Sequence, residues 1–370
     1  MIPILKNAAD PLASPGAGMT VYQIDPLRDS RWAKLVESHP KSTVFHTTGW
    51  LEALRRSYGY ESVVLTTTGG GGALKNGLLL CKVSSWLTGT RLVSLAFSDH
   101  CQPLVDDPAE LLALLKFLET SVSDKGREYV EIRPLSGFDP EVESASHAAI
   151  SDSYYLHLLD LRPPLEVLFK SFHKSCVQRK LERAKREELR IEEGRSENLL
   201  RDFYRLLVMT RRRHRIPPQP FEWFRNLIEC LGDQVVIRVA FKEKAPIASI
   251  FTLTHKKTVV YKYGCSDAAF HNLGGMLSLF WRTIQVAKEQ GFEELDLGRS
   301  EVENQGLIAF KDHWGSTRKT LRYYRYPWHP PQNKQGTQND RRMEIAQQIF
   351  SRLPDFCLVI AGKFLYRHIG

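Results

Sequence analysis

Residues 271–300 have the sequence HNLGGMLSLFWRTIQVAKEQGFEELDLGRS, the most informative stretch of the chain for its architecture. Gly274 and Gly275 precede a run whose apolar residues recur at helical spacing, namely Leu277, Phe280, Ile284 and Ala287. The short apolar run at 294–297 is typical of a buried strand. We therefore predict a turn, a helix over 273–290 with one core-facing side, and a strand.

The rest of the second half alternates between helix and strand patterns. Helices are predicted from Pro163 to Glu188 and at 196–214, 220–230 and 304–314. Strands are predicted at 154–161, 235–241, 247–253, 258–263 and 319–326. Helices followed by an antiparallel meander, a helix and a further strand are typical of the α+β class.

The first half repeats this order of elements without repeating its residues. Strands are predicted at 21–24, 61–68, 77–83, 91–96 and 129–132, and helices at 47–58 and 108–123. We therefore expect two α+β (α/β) domains, each a mixed central sheet flanked by helices. The predicted divisions are a disordered tail at 1–20, domains at 21–150 and 151–326, a linker at 327–339 and amphipathic helices at 340–370.

Composition places the chain among globular proteins of the cytosol. At 370 residues, with 42% hydrophobic and 25% charged residues, it is long enough for two domains that each bury a core. It has no apolar run of bilayer length, and residues 1–19 lack the apolar centre of a secretory signal. The six cysteines form no Cys-x-x-Cys pair, so neither a metal site nor a disulfide framework is predicted.

The positive charge is concentrated in one segment. Residues 170–215 contain 15 Lys or Arg against 7 Asp or Glu, which is +8 of the net charge of +9. Such a patch predicts an anionic partner: a nucleic acid such as tRNA, a nucleotide-linked or lipid-linked phosphate, or an acidic membrane. The alternative is a solvated helix face with no ligand.

Within this segment, one helix is predicted to bind phosphate. Its core-facing stripe is Val177, Leu181 and Ala184, and its opposite face carries Arg179, Arg183 and Arg186. One guanidinium group can donate two parallel hydrogen bonds to the oxygens of a phosphate. Three such groups in a row therefore favour a phosphate site. Glu182 and Lys185 flank them, and a carboxylate there could neutralise part of the charge.

Two further segments are candidates for the chemistry. Gly274 and Gly275, at a helix N-terminus, would present backbone N–H groups to an anion or a carbonyl, although tight packing also explains such a pair. Residues 296–300 (DLGRS) and 310–315 (FKDHWG) bring polar groups to the end of a strand. The catalytic candidates are Lys311 as a stabiliser of an oxyanion, with Phe310, His313 as a base or a merely packed histidine, and Asp296 and Arg299 as orienting groups.

In the first half, residues 97–103 (FSDHCQP) place an aspartate, a histidine and a cysteine side by side. Adjacent residues point in different directions, and real catalytic triads come from separated segments, so a cysteine hydrolase is not favoured. We predict instead that Asp99 and His100 lie in a substrate-contacting loop.

At these residues the chain resembles a known family. The segments KSCVQRKLERAKREEL, HNLGGMLSLFWRTIQVAKEQGFEELDLGRS, AFKDHWG and TLRYYRY make residues 154–326 look like the FemAB-type transferases, which carry tandem acetyltransferase-like (GNAT) domains. In particular, these residues look like the BioF2-type branch found near bacterial exopolysaccharide and exosortase loci. The first half matches more loosely, through VFHTTGWLEAL and SLAFSDHCQPLV.

The resemblance implies transfer of an acyl or aminoacyl group to an amine of a cell-envelope or polysaccharide precursor. In the members that build peptidoglycan bridges, the Phe-Lys pair lies at the reacting ester, a role that carries over to Phe310 and Lys311. The chain departs from the GNAT phosphate loop at His271 and Met276, and it has no sustained heptads for a tRNA-binding arm. The donor therefore stays open between acyl-CoA and aminoacyl-tRNA, with no metal expected.

Other interpretations of the sequence stay open beside this one. One is a non-catalytic scaffold of an envelope or exopolysaccharide assembly system, and the other is a nucleic-acid-binding module that uses the basic segment. At the C-terminal end, a helix at 341–353 is followed by an apolar face formed by Phe356, Val359, Ile360 and Phe364. This face would either contact the inner membrane surface or pack on the second domain.

Overall fold

The computed structural model describes residues 19–86, 89–121, 128–326, 350 and 353–369. The chain divides into two compact units. Unit 1 is Met1–Ser153, Leu321–Lys334 and Leu365–Gly370, and unit 2 is Tyr154–Thr320 and Gln335–Phe364. The predicted linker at 327–339 and the predicted helix up to residue 349 lie outside the described residues, as does the tail up to residue 18.

Unit 1 is built on a mixed sheet in the order β1-β2-β3-β4-β5-β12. Its strands are β1 Tyr22–Ile24, β2 Glu61–Thr66, β3 Leu78–Ser85, β4 Gly89–Ser94, β5 Glu128–Ile132 and the end of β12 Thr317–Tyr326. Its helices are α1 Ser30–Ser38, α2 Thr48–Tyr58, α3 Pro108–Ser121 and α4 Pro140–Ala145. Strands β4 and β5 run parallel because α3 connects them, and the other described pairings in this unit are antiparallel.

The helices of unit 1 begin and end where local chemistry requires it. The Thr47 side chain accepts a hydrogen bond from the Trp50 N–H at the start of α2, and Gly59 ends that helix with φ of +71°. Helix α3 buries Leu114, Leu115 and Leu118 against the sheet. Burial of this apolar stripe, more than helix propensity, holds α3 in place.

The strands of unit 2 follow the order β6-β11-β10-β9-β8-β7 and combine one parallel pair with antiparallel pairs. Its strands are β6 Ala149–Asp160, β7 Arg190–Gly194, β8 Val235–Lys242, β9 Ala245–His255, β10 Thr258–Ser266 and β11 Glu294–Glu301. Its helices are α5 Leu165–Ser171, α6 Arg179–Lys185, α7 Glu197–Arg213, α8 Phe221–Leu231, α9 Gly275–Glu289, α10 Gln305–Asp312 and α11 Asp355–Ile369, which ends in unit 1. The predicted mixed α/β architecture is confirmed.

The parallel pair β10 and β11 separates part of the way along. The two strands pair only at three positions, from Thr258 with Glu294 to Val260 with Asp296. Beyond that point β10 continues to Ser266, paired with β9, and β11 continues to Glu301, paired with β6. A gap therefore opens between two neighbouring strands at their C-terminal ends, where ligand sites of α/β sheets gather.

The long helix predicted from Pro163 to Glu188 is wrong, because it is interrupted. Helix α5 ends at Ser171, and Phe172 and His173 have extended backbones, with ψ of 150° and 124°. The Phe172 ring is buried against Trp281 and Trp314, so tertiary packing overrides the local helical pattern. Helical structure resumes in a π-helical turn, Lys174–Gln178, which runs into α6.

One face of α11 packs on unit 2. The Leu358 side chain is buried, and a Cβ on Gly362 would lie only 1.9 Å from the Pro218 carbonyl oxygen. Only glycine allows this close approach of two backbones. Within the described residues, no helix combines the length and apolarity needed to cross a bilayer.

Candidate functional site

Lys311 lies buried in the last turn of α10. Only 2% of the residue is exposed, and its Nζ donates to the carbonyl oxygens of Gly298 at 2.7 Å and Arg299 at 2.8 Å. The Asn304 side chain caps α10 by accepting from the Leu307 N–H. The cap and the buried contacts fix the ammonium group at the end of β11.

Asp296 shapes the strand that holds this lysine. Its Oδ1 accepts from the Gly298 N–H at 2.7 Å, and Gly298 has φ of +73°. The pairing of β11 with β6 shifts register between Asp296 and Arg299, as at a β-bulge. The carboxylate therefore positions the carbonyls that bind Lys311, while its predicted part in proton transfer stays a prediction.

Arg299 contributes its backbone and its side chain in different ways. Its carbonyl binds Lys311, and its guanidinium lies 4.2 Å from the centre of the Tyr154 ring. Stacking on an aromatic ring keeps an arginine extended while leaving its N–H edges able to bind. Phe310, one residue before the lysine, is half-buried and packs on Phe280 with ring centroids 5.4 Å apart.

His157, which the sequence analysis missed, lies next to these groups. Its side chain is fully buried on β6, and Nε2 is 3.4 Å from Oδ1 of Asp312. Burial, together with the Lys311 charge, lowers the pKa of His157 to about 4. No signal in the sequence points to this residue, because it occupies one position of an ordinary strand pattern.

His313 faces a second histidine. Its ring lies 4.5 Å from that of His173, centroid to centroid, and its backbone carbonyl accepts from the His173 N–H at 2.8 Å. Burial lowers the pKa of His313, and the neighbouring His173 acts in the same direction. His313 is therefore neutral at pH 7 and able to accept a proton.

Gly274 and Gly275 open α9 as predicted, and packing constrains both. Gly274 has φ of +76°, and a Cβ there would lie 2.9 Å from the Cβ of Ala184. A Cβ on Gly275 would lie 3.0 Å from Ile247. The packing explanation for these glycines is therefore correct. Their position at the N-terminus of a 15-residue helix also leaves the anion cradle as a prediction.

The arginine face of α6 is present in the structure. Arg179, Arg183 and Arg186 are all exposed, and the opposite stripe of Val177, Leu181 and Ala184 is buried. Glu182 and Lys185, which flank the arginines, pair with each other at 2.7 Å. Within the described residues none of the three guanidinium groups takes part in an ion pair. Phosphate binding by this face stays a prediction.

Asp99 and His100 belong to unit 1. The Asp99 carbonyl accepts from the Tyr323 hydroxyl at 2.6 Å, and the His100 ring is buried edge-on against Phe45. Next to them, burial raises the pKa of the Cys101 thiol, so it is protonated and a poor nucleophile. Substrate contact by Asp99 and His100 stays a prediction, and this geometry disfavours a cysteine hydrolase.

The structure places most of the predicted residues in unit 2, in two groups. Asp296, Arg299 and Lys311 share the end of β11, and His313 follows Lys311 by two residues. Gly274 contacts α6 through Ala184, and α6 carries the arginine face. The β10–β11 gap lies between β11 and the strand that leads to Gly274.

A family model described as an acetyltransferase (GNAT) domain matches residues 173–311. No curated protein matches the sequence. The matched residues run from His173, through the β10–β11 gap and Gly274, to Lys311.

Three solved structures share the fold of the chain. FemX covers 86% of this chain and 98% of its own, with a TM-score of 0.63 and 14% identity. L-PGS from Bacillus licheniformis covers 89% and 96%, with a TM-score of 0.54 and 14% identity. A tandem GNAT protein from the clavulanic acid biosynthesis pathway covers 82% and 97%, with a TM-score of 0.50 and 13% identity.

At these identities the likenesses concern the fold, and they cover nearly the whole of each relative. The tandem GNAT-like architecture that the resemblance implied is confirmed by the family model and by these folds. In the second unit, residues 173–311 match the acetyltransferase (GNAT) domain model.

Proposed function

We propose that the protein is an N-acyltransferase that moves an acyl or aminoacyl group from acyl-CoA or aminoacyl-tRNA to an amine of a cell-envelope or polysaccharide precursor. The observation that carries this proposal is the buried ammonium of Lys311, held by two carbonyls at the end of β11 inside a GNAT domain. A fixed cation in a site of low dielectric suits the oxyanion of acyl transfer.

The donor would enter the gap between β10 and β11. In the gap, backbone groups of β10 after Val260 have no ladder partner on β11, so an extended donor with amide groups can pair there. The N-terminus of α9 follows β10 and would face the donor's phosphates. The phosphate contacts suit either donor, because both carry phosphate groups, whereas the pairing in the gap suits the amide groups of the coenzyme A arm.

In the reaction the acceptor amine would attack the acyl carbonyl directly. Lys311 would stabilise the negative charge that develops on the carbonyl oxygen, and neutral His313 would accept the proton that the amine loses. The thiol of coenzyme A or the ribose hydroxyl of tRNA would leave. Without a covalent enzyme intermediate, most of the rate enhancement comes from holding amine and carbonyl together.

The exposed arginine face would bind the phosphates of the substrate. Arg179, Arg183 and Arg186 make no ion pair within the described residues, and three guanidinium groups match a pyrophosphate or a nucleic-acid backbone. An anionic precursor fits this face, and so does tRNA. Because both donors are cytosolic molecules, we place the reaction in the cytosol, with the membrane face as the site of a lipid-linked acceptor.

Native mass spectrometry tests this proposal directly. The purified full chain is mixed with a cellular pool of acyl-CoAs and, separately, of aminoacyl-tRNAs. We expect one pool to yield a retained complex and that donor to be consumed when an amine-bearing envelope precursor is added. Retention of neither donor, with no transfer, would contradict the proposal and favour the non-catalytic scaffold.

A further inference from the structure

A group of three metal-ligating side chains lies on the surface of unit 2, beside the site described above. The donor atoms of His173, Cys176 and His313 all lie within 4.8 Å of one another. His173 is exposed, and the other two are half-buried. Nothing in the proposed acyl transfer uses Cys176, so the cluster calls for its own explanation.

The backbone holds this cluster together. The His173 N–H donates to the His313 carbonyl at 2.8 Å, which joins the start of the π-helical turn to the end of α10. His173 is the N-cap residue of the π-helical turn, and its Nδ1 atom accepts from the Cys176 N–H at 3.2 Å, which keeps the two residues side by side. Three ligands from two elements are therefore placed before any ion arrives, which lowers the entropic cost of binding.

We propose that His173, Cys176 and His313 bind a thiophilic divalent cation of the Zn²⁺ class, with a fourth position open to water or an anion. Two imidazoles and one thiolate are the ligand set of open, four-coordinate zinc sites. Oxygen ligands, which Mg²⁺ and Ca²⁺ require, are absent from the set. The nearby Lys180 would oppose the binding of a cation. The negative charge of the soft thiolate offsets this repulsion.

The distances allow closure by small side-chain rotations. Tetrahedral zinc holds its nitrogen and sulfur ligands roughly 3.5 Å apart, as its bond lengths dictate. Donor atoms now at most 4.8 Å apart need to move by only about 1 Å, and all three side chains reach solvent.

Binding would change the hydrogen bonds that the ligand atoms make now, including those of the Ser175 hydroxyl with His173 Nδ1 at 3.4 Å and with Cys176 Sγ at 4.0 Å. The Nδ1 atom of His173 now accepts from the Cys176 N–H at 3.2 Å, as an N-cap. A metal at either nitrogen removes this bond, because a metal-bound imidazole carries its proton on the other nitrogen. One cap hydrogen bond is much weaker than a metal–imidazole bond, so the exchange favours the ion.

The metal would also affect the proposed transfer, a consequence that rests on the proposed function. His313 cannot bind a cation and accept a proton through the same nitrogen. Metal occupancy would therefore inhibit the transferase, and removal of the metal would restore it. The site itself does not depend on this consequence.

Cobalt provides the probe for the experiment, because Co²⁺ takes zinc sites and is coloured. The reduced, metal-free full chain is titrated with Co²⁺ and then with Zn²⁺. We expect one equivalent of Co²⁺ to give the visible bands of a tetrahedral centre and a thiolate-to-cobalt charge-transfer band, both lost on adding Zn²⁺.

Variants assign the ligands. Cys176→Ser should abolish the charge-transfer band. Cys176→Ser and His313→Gln should each weaken zinc binding by about 100-fold or more. Loss of an outer-shell partner would cost less, about 10–100-fold. Cys357→Ser, which changes another half-buried cysteine of unit 2, should leave both readouts unchanged. Circular dichroism checks that each variant is folded.

Two results would overturn the proposal: no charge-transfer band in the wild-type chain, or a band that survives in Cys176→Ser. Neither readout measures transfer. Failure of the metal site would therefore leave the proposed function standing, and a chain without transferase activity would still show the cobalt spectrum.

Discussion

At the residue scale, Lys311 is the most exacting test of the proposed chemistry. Lys311→Met keeps the length of the side chain and removes its charge, so we expect turnover to fall by about 10²-fold or more. The matched control is Lys319→Met, which removes the same charge at an exposed position of β12, outside the site. Steady-state kinetics and thermal unfolding of both variants separate catalysis from stability. Near-normal turnover of a folded Lys311→Met would contradict the role.

The buried His157 makes stability depend on pH. Its pKa of about 4 in the folded chain lies below the ordinary value of 6.5, so the folded state prefers the neutral ring. The stabilisation is fully present above pH 6.5 and is lost as pH falls toward 4, because the unfolded chain binds the proton first. His255, with a pKa lowered to about 4 by burial, contributes in the same window.

We therefore expect the free energy of unfolding to fall between pH 6.5 and 4.5, and His157→Gln and His255→Gln each to flatten this slope. Urea unfolding at closely spaced pH values is the measurement. Carboxylates such as Glu52, with a pKa of about 2, lose their contribution at lower pH and do not mask the effect. If the unfolding free energy of His157→Gln depends on pH as steeply as that of the wild type, the pKa of His157 is not lowered in the folded chain.

Part of the residue chemistry follows from the sequence and part does not. The DLGRS and FKDHWG segments identify Lys311, Asp296 and Arg299 as neighbours in function. The sequence does not show that Asp296 binds a backbone N–H, since a bulge at Gly298 depends on strand pairing. His157 and the contact of His173 with His313 escape prediction for the same reason: residues distant along the chain meet only in the fold.

At the scale of the element, the junction of α9 and α6 rests on a glycine. Gly274→Ala would place a methyl group 2.9 Å from Ala184 at a φ of +76°. Gly291 has the same φ of +76° and open space around its Cβ position, so Gly291→Ala is the matched control for backbone strain alone. We expect both to destabilise by about 1 kcal/mol from strain, and Gly274→Ala by more.

Urea unfolding and donor binding measure the difference between these two variants. Since α6 carries the arginine face, we expect Gly274→Ala, and not Gly291→Ala, to weaken donor binding as well. Equal unfolding free energies for the two variants would show that α6 moves away from α9 without cost.

Helix α11 has an apolar stripe on its exposed side. Phe356, Ile360 and Phe364 are exposed by 66%, 51% and 69%, although the opposite face packs on unit 2. Lys363 and Arg367 lie on the same helix, and this combination suits the surface of an anionic membrane. The packing alternative and the membrane alternative thus concern different faces of one helix.

We predict that the full chain floats with vesicles containing anionic lipids and that changing Phe356, Ile360 and Phe364 to Ser abolishes flotation. The matched control changes three exposed residues of α7 and the preceding turn, Arg195, Arg201 and Arg205, to Gln. Flotation of the triple Ser variant equal to wild type would show that the stripe covers something other than lipid.

The sequence predicts elements better than it predicts their interruptions. Helices α7, α8 and α9 fall within a few residues of their predicted ends, since each has a strong apolar stripe. The break at Phe172 and His173 does not follow from the pattern, because a buried aromatic contact causes it. Strand β7 has one apolar residue, Ile191, and so gives no strand signal.

At the scale of the whole molecule, the question is whether local or total charge binds the substrate. The chain carries +9, and changing Arg179, Arg183 and Arg186 to Ala lowers it by three. Changing the exposed Lys34, Lys75 and Lys116 of unit 1 to Ala lowers it equally. We expect only the arginine variant to raise the Kd of the phosphate-bearing substrate, by about tenfold or more.

Titrations at several salt concentrations complete this test. The arginine variant should show a shallower dependence of log Kd on log salt, because fewer counterions are released on binding. Equal effects of the two triple variants would show that binding follows net charge. Tight, salt-sensitive binding of unrelated RNA and DNA, with no acyl transfer, would favour the nucleic-acid-binding module.

The separation of β10 from β11 after three paired positions has a consequence for the chain when no donor is bound. Amide hydrogens of β10 that point into the gap lie outside the ladder with β11, so we expect them to exchange with solvent faster than the amides of fully paired strands. A donor that forms hydrogen bonds with these backbone amides would slow their exchange. Hydrogen–deuterium exchange of β10 would therefore measure the fraction of molecules that hold a donor.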